Sequence, residues 1–93
     1  MKESIEISQR SMAVLQSKAH AENDLLVWTI YDHPIEFPDS YVVRPFSSKL
    51  VCPLTVHFKH GQLGYVRSAL QNLGLTCLAR AEDDPPFVLE TWL

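Results

Sequence analysis

The sequence has only two cysteines, Cys52 and Cys77, 25 positions apart and in no CxxC pair. In a reducing compartment both are expected to be small buried hydrophobes, with no structural disulfide. No apolar run approaches the roughly 20 residues needed to cross a bilayer. The first nine residues carry Glu3 and Glu6 where a secretory leader would be apolar. The expected address is therefore the cytoplasm, away from membranes. There is also no GxSxG elbow, P-loop, dinucleotide fingerprint or HExxH, so no catalytic motif and no cofactor is implied.

A second scarcity concerns charge. Residues 40–81 contain no Asp or Glu, although the chain has 11, and they hold five cations, Arg44, Lys49, Lys59, Arg67 and Arg80. These five either scatter and face the flanking acids or converge on one surface to meet an anion. The net charge of −3 argues against a nucleic-acid binder, whose domain is usually strongly basic.

What is present is ordinary for a globular chain, with 46 % hydrophobic and 20 % charged residues among 93. That length supports one domain, and a chain of this size buries only roughly 60 to 65 % of its unfolded surface, so its stability margin is thin. Residues 1–24 read as a helical or partly disordered extension, with Ile5, Met12, Leu15 and Ala19 on a thin apolar stripe and a helix at about 8–21. Residues 25–93 read as one compact domain. Residues 25–31 are apolar on both alternating phases, which predicts a central strand covered on both faces. A second strand covers 41–46, where Pro45 lacks a ladder donor and implies an edge or bulge. A short third strand covers 54–58, with Thr55 and His57 on its half-exposed face.

Leu63, Val66, Leu70 and Leu73 recur at helical spacing, which predicts the main helix at about 62–73. Gly74 falls where a left-handed terminus needs a residue without Cβ. Further strands are expected at 75–79 and 87–93, separated by an acidic turn. The whole predicts an α+β fold: a small, mainly antiparallel sheet of four to five strands, the 62–73 helix on one face, and an N-terminal helix loosely docked.

Three constellations bear on function. The connection between the first two strands carries Pro34 and Pro38, so it is stiffened, and His33, Pro34, Phe37 and Tyr41 form a presented binding loop. Asp32 and His33 are adjacent on a chain expected to be extended before Pro34, so their side chains should diverge rather than form a dyad. The sequence Lys59, His60, Gly61, Gln62, Leu63, Gly64, with Arg67 one turn on, sets cations beside the free N–H groups of a helix start, an alternative anion site. In the simpler alternative, Gly61 caps the helix and Gly64 permits close packing. His57 and His60 with either cysteine match no strong zinc spacing, so no metal site is expected.

The run Trp28-Thr29-Ile30-Tyr31-Asp32-His33-Pro34, with Phe37-Pro38 and the ending Glu90-Thr91-Trp92-Leu93, resembles a group of short uncharacterised bacterial and phage-associated proteins. These pair a W-x-[IV]-Y-D-H-P-x-x-[FY]-P opening with a C-terminal apolar-Glu-x-Trp-Leu. The resemblance implies a compact domain and a phage or prophage origin, and supplies no catalytic residues. The expected function is a non-catalytic module that binds an unidentified protein or a second copy of itself, with an exposed sheet edge as the dimer seam. The alternative is an anion or nucleic-acid-backbone binder using the start of the 62–73 helix.

Overall fold

The computed structural model describes residues 4–78, 80 and 82–93. Along the chain, β1 (Ile5–Glu6) precedes helix α1 (Gln9–Ala21), followed by β2 (Leu26–Asp32), β3 (Tyr41–Ser47), β4 (Cys52–Pro53) and β5 (Val56–His60). Helix α2 (Leu63–Gln71), β6 (Cys77–Leu78) and β7 (Val88–Trp92) complete it. The fold is α+β as expected, but the sheet has seven strands rather than four to five, in the order β1-β5-β3-β2-β7-β6, with β4 alongside β3. The two additional strands, β1 and β4, are two residues long and too short to leave a periodic signal, whereas β6 falls inside the strand expected at 75–79 and is shorter than expected. The sheet is mixed: β1 runs parallel to β5, and the other pairings are antiparallel.

Both helices cover the same face. Met12 and Ala19 of α1 and Val66, Ala69 and Leu70 of α2 share one core with Leu26, Trp28 and Ile30 of β2, Val43, Phe58 and Trp92. The N-terminal helix is therefore not loosely docked: Met12 is 0 % exposed, and the Trp28 indole Nε1 donates to Gln16 Oε1 at 2.8 Å. Its thin stripe suffices because a fully buried methionine contributes roughly 1.5–3 kcal/mol. Ser8 caps it by accepting the Ser11 N–H at 3.2 Å. Ile5 is exposed in β1 and takes no part in the helical stripe. Among the described residues no helix is long and apolar enough to cross a membrane.

Several local expectations change. Strand β3 lies inside the sheet, and buried Pro45 falls where its neighbour switches from β5, at 41–43, to β4, at 46–47. Ser47 is buried at its end and donates to Asp24 Oδ2 at 2.6 Å, while the Lys49 N–H donates to Oδ1 at 3.0 Å. These bonds hold the Asp24 carboxyl below its usual range, chiefly through Ser47. Cys77 is exposed and Cys52 half-buried, so neither is a core hydrophobe. Gly74 does adopt φ +80, donating its N–H to Gln71 O at 2.9 Å past α2. Gln62, not Gly61, is the N-cap of α2, and a Cβ on Gly64 would meet open space, so close packing does not explain it.

Candidate functional site

Alternation places Val27, Thr29 and Tyr31 of β2, Val42, Arg44 and Phe46 of β3, and His57 and Lys59 of β5 on the face that carries no helix. Residues 33–40 fold over part of this face instead. Two turns shape the segment: the Phe37 N–H donates to Pro34 O at 2.9 Å and the Ser40 N–H to Phe37 O at 3.2 Å. Phe37 rests on the His57 ring with centroids 4.7 Å apart, and the Lys59 ammonium lies 4.8 Å from the centroid of Phe37. The connection thus presents a shaped surface while its aromatic side chain anchors it to the sheet.

His33 is not extended. Its φ of 46° is left-handed, strained for a residue with a Cβ, and it turns the imidazole back so that Nδ1 lies 2.5 Å from Asp32 Oδ1. The adjacent pair therefore forms a dyad after all, because the extended geometry that would separate the two side chains is abandoned at that residue. The His33 ring also meets Tyr41 edge-on at 4.6 Å. Of the expected loop residues, His33 and Tyr41 are together, Pro34 lies beside them in sequence, and Phe37 folds away toward β5.

Between this segment and the sheet is a cavity of about 300 Å³, lined by Tyr31, His33, Pro34, Glu36, Arg44 and Phe87, with Ile35 at its rim. Tyr31 and Phe87 stack at 6.0 Å to form an aromatic wall, joined where the Asp32 N–H donates to Phe87 O at 2.7 Å. The Arg44 guanidinium lies 5.9 Å from the Tyr31 centroid, and its Nη2 reaches Glu36 Oε2 at 3.4 Å.

His57 is buried, not half-exposed as alternation suggested. It lies one register step from Arg44, beyond the Val43–Phe58 pair. Ser4 Oγ bonds its Nδ1 at 2.8 Å, while its Nε2 and the Nε of Arg44 are both buried without a hydrogen-bond partner. Burial, reinforced by Arg44 and Lys59, pushes the His57 pKa down against the opposing effect of Glu6.

The residues of the alternative anion site are separated. His60 stacks on Tyr65 at 4.0 Å, and its Nδ1 accepts the Gln62 N–H at 3.0 Å. Lys59 lies on the helix-free face beside Phe37, whereas Arg67 grips Glu90 with two hydrogen bonds, Nε to Oε1 at 3.0 Å and Nη2 to Oε2 at 2.6 Å. Gly61 and Gly64 remain at the helix start without either cation. Among the described residues, no group of three or more His, Cys, Asp or Glu side chains is placed to hold a metal ion. Tyr31, Glu36, Arg44 and Phe87 were not singled out as site residues from the sequence, since Phe87 joins the wall from 56 positions away in the chain. The only early signal was Arg44 among the cations of the acid-free stretch. Comparison with protein families, curated proteins and solved structures finds no match for this chain.

Proposed function

We propose that this chain is a non-catalytic interaction module whose recognition surface is segment 33–40 together with the cavity it roofs on the helix-free face. The observation that carries this reading is Ile35, which is 97 % exposed in the lining of an aromatic cavity, on a segment anchored to the sheet where Phe37 rests on His57. A large apolar side chain held in water beside an apolar recess favours a surface completed by a partner. Rigid anchoring through Phe37 and His57 reduces the ordering entropy that binding would otherwise cost. The Asp32–His33 dyad orients an imidazole on the wall, but the lining includes no Ser, Thr or Cys for it to activate.

The test is site-specific photocrosslinking in cells. A photoreactive residue replacing Ile35 should give one discrete adduct that the same residue replacing exposed Val14 on α1 does not. Identical adducts from both positions, or none from Ile35, defeat the proposal. The adduct's mass separates another protein from a second copy of this chain.

A further inference from the structure

Arg44 has hydrogen-bonding capacity that the folded chain leaves unused. Its Nε is buried and out of a ligand's reach, but the side chain is 31 % exposed and its Nη2 contact with Glu36, at 3.4 Å, exceeds the 2.7–2.9 Å of a strong charge-assisted bond. The Glu36 side chain is 56 % exposed, so it holds the guanidinium weakly and leaves it without large cost. One end of the cavity is therefore a guanidinium available to a carboxylate. The remainder is apolar: Tyr31 beneath the cation, Phe87 extending the wall, and Pro34 and Ile35 at the segment's edge. Guanidinium suits a carboxylate because its planar fork donates two parallel bonds.

We infer that the cavity receives an acidic side chain carried next to a large aromatic or branched apolar one, on an exposed segment of a partner protein. The carboxylate takes the place of Glu36 on Arg44, and the apolar neighbour lies against Tyr31 and Phe87. This rests on the interaction-module reading and adds the chemistry that the partner must present.

The probes are three capped dipeptides, acetyl-Phe-Glu-amide, acetyl-Phe-Gln-amide and acetyl-Ala-Glu-amide, titrated into isotopically labelled full-length protein and followed by NMR. Acetyl-Phe-Glu-amide should shift the Arg44 Nε–Hε signal and the Phe87 amide, and bind at least tenfold more tightly than either comparison peptide. Arg44→Gln should abolish the preference for Glu over Gln. Because that variant removes a partly buried side chain, a second one guards against misfolding: Glu36→Gln, at an exposed position, removes the internal competitor and should tighten acetyl-Phe-Glu-amide binding severalfold. Equal binding of the Glu and Gln peptides, shifts confined to residues outside the cavity, or no gain in Glu36→Gln overturns the inference. So does tighter binding of free phenylacetate than of any peptide, which would make the cavity a small-molecule site. A crosslinked partner with no discrimination among the peptides overturns this inference alone. Discrimination among the peptides with no crosslinked partner overturns the module reading instead.

Discussion

Phe37 covers His57 with the two ring planes tilted by 35°, so a residue of the recognition segment seals an imidazole that is 2 % exposed. The folded-state pKa of that imidazole lies below the ordinary 6.5 because of burial first, then the charges of Arg44 and Lys59. Above pH 6.5 folded and unfolded chains both hold it neutral, and it contributes no pH dependence. As the pH falls below 6.5 the unfolded chain takes up a proton that the folded chain resists, so stability is lost until the folded pKa is passed. Urea unfolding at pH 7.5 and 5.5 should show a lower midpoint at the acid end. His57→Phe should lose most of that difference; an equal drop in both proteins refutes the assignment.

Helix α1 belongs to the cooperative unit. Met12→Ala empties a fully buried site shared with Trp28 and should lower stability by about 2–5 kcal/mol in a single transition. Exposed Val14→Ala should change it by less than about 0.5 kcal/mol. A two-step melt, or equal effects at the two positions, would show that α1 folds apart from the sheet.

The long periodic elements were readable because each side chain's environment followed from local spacing: Leu63, Val66 and Leu70 define α2, and Leu26, Trp28 and Ile30 define the core face of β2. Gly74 carried its left-handed turn in its identity. The docking of α1 was not readable, since its stripe is thin and what fixes it is a distant indole meeting Gln16. The dyad at Asp32 and His33 was hidden by a backbone angle unusual for histidine. The cavity depends on Phe87, just before β7, meeting Tyr31 where β7 pairs with β2, a long-range pairing with a register irregularity between Ile30 and Tyr31 that no local pattern records.

Arg67 binds both carboxylate oxygens of Glu90 and thereby ties α2 to β7. Arg67 first, and the Trp92 indole after it, hold the Glu90 pKa below its ordinary 4.5. The resulting stability is present above pH 4.5 and is lost as the pH falls through the folded value. Arg67→Lys keeps the charge but not the paired bonds and should lower stability at pH 7 by about 1 kcal/mol. In urea melts at successively lower pH below 4.5, the gap between the two proteins should narrow as Glu90 takes up its proton. A gap that does not shrink argues that packing, not the ion pair, is responsible.

Val51 adopts φ 53 although it is β-branched and 75 % exposed. A left-handed conformation costs such a residue roughly 1–2 kcal/mol, and its side chain has little burial to offset this. Val51→Gly should therefore raise the thermal midpoint, by the equivalent of about 1 kcal/mol once glycine's greater unfolded-state entropy is subtracted. A lower midpoint would mean that the side chain makes a contact that outweighs the strain.

Each helix is fastened to the sheet through a different chromophore. The Trp28 indole bonds Gln16 of α1, and the Trp92 indole donates to the same Glu90 oxygen that Arg67 of α2 holds, at 3.2 Å. Replacing one tryptophan at a time with phenylalanine would leave a lone emitter whose indole hydrogen bond is tied to one helix. The molecule thus carries two built-in optical reporters, one beside each helix, whose melts should coincide when the helical layer comes away as one unit.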